Sequence, residues 1–281
     1  MTDRIAVTIE GGVADVRLNR PEKMNALDPA MFRALVDTAD ELAADASLRC
    51  VVLSGEGRSF CAGLDFGSFQ GIAGTDGGGD GGGDSEGRRS GGIGDITAAD
   101  PGRITHLGQQ AVYGWSSLPV PVIAAVNGHA LGGGIQLALG ADIRIVAPEA
   151  KMSVLEIRWG LIPDMTGTQT LIRLVGLDVA KELTFTGRMV TGEEAVALGL
   201  CTRLADDPRA EALALAAEIA AKSPDAIRAA KRLFNQASQV SLAEGFAAER
   251  QEISRLIGSP NQVEQVKAFF EKRTPDFADP S

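Results

Sequence analysis

The chain has 281 residues, of which 44% are hydrophobic and 23% are charged, and this balance predicts a soluble globular protein with a sizeable core. Its formal net charge of -10 argues against non-specific binding to nucleic acid or to an anionic membrane, because both would meet a repelling surface. The N-terminus lacks a long apolar core and no run of about eighteen apolar residues is present, so neither a secretion signal nor a transmembrane helix is predicted.

Hydrophobic patterning at the start of the chain predicts a hairpin followed by a helix. Residues 5–10 and 13–18 alternate apolar with polar or small side chains on either side of a diglycine turn. Asp28 then precedes Pro29, a pairing that begins helices because the carboxylate caps free N–H groups and proline tolerates the first helical position. Apolar residues at helical spacing continue from there to about Ala46.

Compact β-branched runs indicate that the middle of the chain contributes buried strands. They occupy residues 49–54, 120–126 and 143–147. Helical patterns fill the intervals, so the order is β-α-β and the predicted class is α/β.

Two further segments set the predicted domain organisation. Glycine with Asp, Ser and Arg dominates residues 71–94, which predicts a mobile surface loop within about 67–102, either a tolerated insertion or a lid over a bound chain. After residue 204 the strand patterns stop, and helical stretches follow at 209–222, 225–237, 242–257 and 262–272. We therefore expect an α/β core over residues 1–204 and a helical assembly region over 205–281.

Scattered cysteines and histidines give no sign of a metal site or a nucleophile. Cys50, Cys61 and Cys201 are odd in number and form no close pair, which favours a reducing compartment and a cytoplasmic protein. His106 and His129 have no acid at the spacing of a metal site or a triad, so both are expected to be structural. Cys61 is expected to serve as a small apolar residue.

The glycine run Gly132-Gly133-Gly134 opens a predicted helix and offers a site for negative charge. The N–H of Gly133 is among the donors left free at the helix N-terminus, at the positive end of its dipole. Without a Cβ a carbonyl oxygen can approach closely, and donors fixed in this way are worth about 3 to 4 kcal/mol each in oxyanion holes. The alternative is that the glycines only permit tight helix packing.

Two acids follow this glycine run on either side of a short turn. Glu156 and Asp164 are placed to move a proton along a substrate, whereas Gln136, on the first turn of the predicted helix, carries an amide that neither accepts nor releases protons near neutral pH. An apolar surrounding would raise the pKa of a carboxyl group there by desolvation. Asp164 could equally be a solvated loop acid or a cap for a helix over residues 165–174.

Seven motifs, in this order and spacing, give the chain a family resemblance. They lie at residues 18–27, 59–65, 121–134, 141–144, 160–163, 167–169 and 268–273. On them the chain resembles the crotonase family, the enoyl-CoA hydratase and isomerase superfamily. The resemblance implies a ββα spiral core with a C-terminal helical trimerisation region, a homotrimer or homohexamer, and an acyl-CoA thioester as substrate. It implies no cofactor, since coenzyme A is part of the substrate.

The resemblance also implies roles for individual residues. The N–H groups of Leu64 and Gly133 would hold the thioester oxygen of an enolate. The residues expected to contact the substrate are Lys23, Ala26, Ala62, Asp65, Gln136, Phe269 and Lys272. Phe269 and Lys272 would reach adenine or phosphate from a neighbouring subunit.

The two acids and the glutamine together favour isomerisation within this family. Hydratases of the family use two glutamates, and the positions matching them are Gln136 and Glu156, so efficient addition of water is not expected. Glu156 resembles the single acid of enoyl-CoA isomerases, which moves a proton from C2 to C4. A glutamate followed eight positions later by an aspartate resembles the dienoyl-CoA isomerases, although those usually carry an aspartate where this chain has Gln136.

We therefore expect an isomerase of fatty-acid β-oxidation that acts on enoyl-CoA or 3,5-dienoyl-CoA. In the dienoyl reaction Asp164 would take the C2 proton and Glu156 would supply one at C6. Two alternatives stay open. One is a 2-enoyl-CoA hydratase that uses Glu156 and a water bound by Gln136, and the other is a catalytically silent acyl-CoA binding protein.

Overall fold

The computed structural model describes residues 3–65, 67, 97 and 102–280. The predicted glycine-rich loop falls almost entirely outside these residues. Among the residues within them, no helix is long and apolar enough to cross a membrane.

Strands of the described chain form two sheets. In chain order the strands are β1 (Ile5–Glu10), β2 (Val13–Leu18), β3 (Cys50–Gly55), β4 (Val122–Val126), β5 (His129–Leu131), β6 (Ile143–Val146), β7 (Lys151–Ser153), β8 (Val190–Thr191) and β9 (Arg203–Leu204). A six-stranded sheet has the order β1-β2-β3-β4-β6-β9, in which β1 and β2 are antiparallel and the other pairs are parallel. A three-stranded sheet has the order β5-β7-β8.

Helices connect and cover these strands. They are α1 (Pro29–Ala43), α2 (Leu107–Ser117), α3 (Gly133–Leu139), α4 (Gly167–Val175), α5 (Leu177–Thr186), α6 (Gly192–Leu198), α7 (Pro208–Ala220), α8 (Pro224–Ala237), α9 (Leu242–Leu256) and α10 (Pro260–Glu271). Short 3₁₀ helices occur at Pro21–Lys23 and Glu156–Trp159.

The first helix begins where the sequence predicted and ends slightly earlier. The Asp28 carboxylate accepts a hydrogen bond of 2.7 Å from the Met31 N–H, and Pro29 occupies the first helical position. The helix ends at Ala43, because residues beyond it enter a turn before β3. Its buried face packs against α2.

Both faces of the large sheet are covered by helices. Val51 and Leu53 of β3 belong to the hydrophobic cluster that includes α1 and α2, whereas Val52 packs with Ala212 and Ala216 of α7 on the opposite face. Burial on two sides explains why the central strands read as continuous apolar runs. It also means that α7, although it follows residue 204, completes the core.

The remaining C-terminal helices leave large apolar side chains exposed. The most exposed of them on α8 to α10 are Phe234, Leu242, Phe269 and Phe270. Isolated apolar residues at a surface are ordinary, but several on one helical region are typical of an interface. An assembly role for this region stays a prediction.

The small sheet was not predicted from the sequence. Its strands have three, three and two residues, too few for alternation to be recognised. It matters for the site because β5 leads directly into Gly132 and α3, and the Gly132 N–H donates to the Ser153 carbonyl of β7 at 2.9 Å.

Candidate functional site

Three backbone segments meet at the N-terminal end of α3. Cys61 pairs with Ala130 of β5, through Cys61 N–H to His129 (2.9 Å) and Leu131 N–H to Cys61 (3.0 Å). Leu64, three residues after Cys61, pairs with Leu27. The segment 61–65 therefore runs between the loop before α1 and the strand that precedes the glycine run.

The direction of the Leu64 N–H follows from this pairing. The Leu27 N–H donates to the Gly63 carbonyl at 2.8 Å, and the Leu27 carbonyl accepts from the Asp65 N–H at 2.9 Å. Because successive residues of an extended segment point their N–H groups to opposite sides, the Leu64 N–H points away from Leu27 and toward the side of Gly133. Within the described part of the chain it has no acceptor.

The Gly133 N–H is a second donor beside it. Gly133 is the first residue of α3, so its N–H has no partner within the helix. Gly63 has a φ of +87°, and a Cβ there would lie 2.5 Å from the Leu131 carbonyl oxygen and 3.6 Å from the Gly133 nitrogen. The close approach of these backbones therefore requires glycine at position 63. Two main-chain donors thus face one space, an arrangement suited to a developing oxyanion.

A cavity of about 440 Å³ lies in front of these donors. Of the predicted site residues, it brings together Ala62, Leu64, Gly133, Gln136, Glu156 and Asp164. The rest of its lining is mostly apolar and consists of Leu27, Phe32, Gly63, Thr97, Gly108, Gly132, Leu155, Trp159, Leu161, Ile162 and Met165. An apolar cavity with a few convergent polar groups is the usual form of a small-molecule site.

Glu156 is the buried acid of this cavity. It opens the 3₁₀ helix Glu156–Trp159 and is only 9% exposed. Its Oε1 accepts a 2.6 Å hydrogen bond from Gln136 Nε2, whereas its buried Oε2 has no partner among the described residues. Desolvation raises the pKa of this carboxyl group above its ordinary value, and the charge of Asp164 acts in the same direction, while the bond from Gln136 opposes it. Glu156 can therefore hold a proton nearer to working pH than a solvated glutamate can.

Gln136 also lines the cavity but is only 1% exposed. Its Oε1 accepts from the backbone N–H groups of Met165 (2.8 Å) and Gly167 (3.0 Å). Backbone N–H groups only donate, so these bonds identify the amide oxygen and leave Nε2 as the group that faces Glu156.

Asp164 also lines the cavity and is exposed. The possibility that it caps a helix over residues 165–174 is wrong, because α4 begins at Gly167 and Thr166 occupies the position before it. Among the residues that the structure describes, its carboxylate makes no hydrogen bond or ion pair. It is a carboxylate at the cavity with access to solvent.

Other predicted substrate-binding residues do not line the cavity. The Asp65 carboxylate forms an ion pair of 2.7 Å with the buried Arg20, and substrate contact by Asp65 stays a prediction. Lys23 ends the 3₁₀ helix Pro21–Lys23 and Ala26 lies in the loop before α1, and neither belongs to the lining. Phe269 is exposed on α10 and Lys272 follows that helix, and neither reaches the cavity of its own chain.

Two residues that shape the loop carrying Leu27 were given no structural role from the sequence. Arg20 donates to the Ala26 carbonyl at 3.1 Å in addition to pairing with Asp65. Asn25, at a φ of +56°, donates to the carbonyls of Glu56 (3.0 Å) and Ser59 (2.8 Å). Both residues lie in the motif at residues 18–27, and their presence there was the one sequence signal that could have identified them.

The cysteine and histidine near the site have structural surroundings. Burial raises the pKa of the Cys61 thiol to about 12, and its Sγ donates to the Asn25 carbonyl at 3.1 Å. His129 Nδ1 is 3.0 Å from Ser59 Oγ, and His106 caps α2. Within residues 3–65 and 102–280, no group of His, Cys, Asp and Glu side chains could hold a metal ion.

A second cavity, of about 510 Å³, lies at the other end of α3. It is lined by Leu139 and Gly140, and by the ion pair between Lys231 and Asp142. About seven residues of helix separate it from the free donors, which corresponds to about 10 Å. This cavity is larger, but its lining includes neither Glu156 nor Asp164, and it is not the candidate site.

Comparison with known proteins gives a consistent result. The family profile described as "Enoyl-CoA hydratase/isomerase" matches residues 8–77 and 95–280. The human mitochondrial enoyl-CoA hydratase domain-containing protein 2 is 34% identical over 273 residues, which covers 95% of this chain and 85% of that protein. The crystal structure of enoyl-CoA hydratase from Bacillus anthracis has a TM-score of 0.84 and 32% identity, covering 99% of this chain and 100% of the other.

A second solved structure agrees with the first. Enoyl-CoA hydratase from Mycobacterium tuberculosis H37Rv has a TM-score of 0.81 and 30% identity, covering 99% of this chain and 100% of the other. The predicted α/β fold, with its crotonase-like spiral core and C-terminal helices, is confirmed by these similarities.

Proposed function

The chain belongs to the enoyl-CoA hydratase/isomerase family, whose members act on acyl-CoA thioesters, and we propose that within this family it is a double-bond isomerase. The observation that carries the proposal is the pair of unlike acids at one cavity. Glu156 is buried with an oxygen that has no partner in the described chain, and Asp164 is exposed. At the position where a hydratase would need a second glutamate stands the amide of Gln136.

The geometry supports a proton shift in a 3,5-dienoyl-CoA. The thioester oxygen would accept hydrogen bonds from Leu64 N–H and Gly133 N–H, which stabilise the negative charge that develops when a proton leaves C2. Asp164 takes that proton, and the electron pair delocalises over the conjugated chain. Glu156 then gives its proton to C6, which leaves the 2,4-dienoyl product.

The next turnover requires that each acid return to its starting protonation state. After one reaction Asp164 holds a proton and Glu156 lacks one. Because Asp164 is exposed, it can lose its proton to water, and Glu156 regains one from solvent. The hydrogen delivered to C6 should therefore come from the solvent.

The test is incubation with a 3,5-dienoyl-CoA while the absorbance of the conjugated 2,4-dienoyl product is followed. We expect turnover in the wild type, with deuterium at C6 when the reaction runs in D₂O. Asp164→Asn should lower kcat by about a hundredfold or more, the usual contribution of a general base. The matched control is Asp178→Asn, an exposed position on α5 outside the cavity, which should change kcat little.

A second candidate is a 2-enoyl-CoA hydratase, because the similar proteins named above are described as hydratases or hydratase domains. Glu156 would then act on a water held by the second N–H of Gln136 Nε2. Rapid hydration of crotonyl-CoA together with an unreacted diene would establish this candidate and overturn the isomerase. Binding of acyl-CoA without turnover of either substrate would indicate a silent binding protein.

We also propose an assembly and a setting for this activity. A homotrimer or homohexamer would place Phe269 and Lys272 of one subunit at the coenzyme A site of another. Coenzyme A enters as part of the substrate, and no further cofactor is proposed. Cytoplasmic β-oxidation is the proposed setting.

A further inference from the structure

We propose that Gln136 is a positioning residue that makes Oε2 the proton-carrying oxygen of Glu156 and ties both acids to α3, an inference that rests on the proposed isomerase. It gives Gln136 a use other than substrate contact. Its basis is three hydrogen bonds made by one buried side chain.

The amide of Gln136 has a single orientation. Gln136 Oε1 accepts from two backbone donors, Met165 N–H at 2.8 Å and Gly167 N–H at 3.0 Å. A flipped amide would turn its own hydrogens toward these donors. The side chain is therefore fixed, with Nε2 directed at Glu156 Oε1 over 2.6 Å.

The two oxygens of Glu156 have different surroundings. Oε1 faces a donor, so a proton placed between it and Nε2 would meet an N–H rather than a lone pair. Oε2 is buried and has no partner in the described residues. A protonated Glu156 thus carries its hydrogen on Oε2, the oxygen that accepts no hydrogen bond from Gln136.

The turn that carries Asp164 is also bonded to Gln136. The two bonds accepted by Gln136 fall on either side of Thr166, whose φ is +68°. A non-glycine residue in the left-handed region needs support from its surroundings. A Cβ on Gly167 would lie 2.6 Å from Gln136 Oε1, so the close contact is possible only with glycine. The same amide that orients Glu156 thereby fixes the backbone next to Asp164.

Gln136→Glu separates these two effects because glutamate has nearly the same shape. One oxygen of the new carboxylate can still accept from Met165 and Gly167. The other replaces a donor with an acceptor, and two carboxylates at this distance can share only one proton. The shared proton would lie between them and not on Oε2.

We expect Gln136→Glu to retain the melting temperature within a few degrees and the KM within about twofold, and to lower kcat for the diene tenfold or more. The pH at which the carboxyl pair loses its last proton should lie more than about one unit above that of Glu156 in the wild type, since a like charge and a shared proton both favour protonation. The readout is the C=O stretch of the protonated carboxyl group in infrared difference spectra. Glu156→Gln identifies that band.

Two controls complete the design. Gln136→Met removes the donor and the acceptor together, and should lower the melting temperature as well as kcat, because Met165 and Gly167 lose their acceptor. Gln169→Glu makes the same chemical change at an exposed residue of α4, and should leave the band and kcat unchanged.

The inference is overturned if the carboxyl band of Gln136→Glu disappears at the same pH as the Glu156 band of the wild type. It is also overturned if the melting temperature of Gln136→Glu falls as far as that of Gln136→Met. The infrared titration needs no turnover. An inactive wild type with the expected shift of the band would therefore count against the isomerase, while the positioning role of Gln136 would stand.

Discussion

Glu156 combines burial, one strong hydrogen bond and one oxygen without a partner in the described chain, and this combination has a cost in stability. Its pKa is raised in the folded state, mainly by desolvation. Below the unfolded-state pKa both states are protonated and no penalty exists. As the pH rises through the folded-state pKa, the free energy of unfolding falls, by about 1.4 kcal/mol for each unit between the two pKa values.

Glu156→Gln should therefore stabilise the protein while it abolishes turnover. The neutral amide removes the charge that becomes unfavourable on ionisation. We expect the difference in melting temperature between variant and wild type to be small near about pH 4 and to grow in favour of the variant toward about pH 8. Thermal unfolding across this range measures it. A difference that does not change with pH would show that Glu156 titrates normally.

At this scale the sequence predicted which residues meet but not how they are bonded. Leu64, Gly133, Glu156 and Asp164 all line one cavity, because glycine spacing and the resemblance both constrain backbone positions. The bonds of Gln136 depend on side-chain torsions and on a turn about thirty residues away, which no local pattern encodes. The pairing of Asp65 with Arg20 was missed for the same reason.

At the scale of elements, the junction of β5 with α3 depends on close backbone contact. A Cβ on Gly134 would lie 2.2 Å from the Cys61 carbonyl oxygen, which itself accepts a hydrogen bond from Leu131. Backbone atoms cannot move aside as a flexible side chain can. The position of the segment that carries Leu64 is therefore set by the absence of one carbon at residue 134.

Gly134→Ala should destabilise the protein by about 1 to 3 kcal/mol, the usual cost of overpacking, and should reduce kcat by displacing the Leu64 N–H. Chemical denaturation and steady-state kinetics measure the two effects.

Gly245→Ala is the matched control for this substitution. It lies within α9, where a Cβ would meet only Val240 at 4.0 Å. It should be neutral or stabilising by up to about 1 kcal/mol, because alanine favours helices over glycine. Equal behaviour of the two variants would contradict the packing argument.

The elements themselves were predictable in proportion to their length. β1 and β2 have the predicted bounds. Six alternating residues on each side of a short turn allow the two strands to pair in only one register. The small sheet was missed because its strands are held by contacts distant in sequence, such as Ala130 with Met152. Packing of α7 on the sheet was also missed, since a helical pattern does not say which surface it covers.

The whole molecule has a net charge of -10 and yet exposes apolar side chains on its last helices. Leu242 (78% exposed) and Phe246 (54% exposed) are four residues apart on α9 and share one face of it. A surface of this kind is expected to be covered when subunits associate.

Replacement of both Leu242 and Phe246 with glutamate should dissociate the proposed trimer or hexamer into smaller species. Gln251→Glu, on the same helix, adds charge at an exposed polar position and should leave assembly unchanged. Sedimentation velocity over a range of protein concentrations measures both. A wild type that sediments as a monomer would remove the basis of the prediction.

The groups that polarise the thioester in this proposal belong to the main chain. A point mutation in a gene changes a side chain and leaves the amide nitrogens of residues 64 and 133 in place. Evolution can therefore exchange the acids around such a pair, one at a time, without losing the ability to stabilise an enolate. A repertoire of different reactions on one scaffold is the expected result.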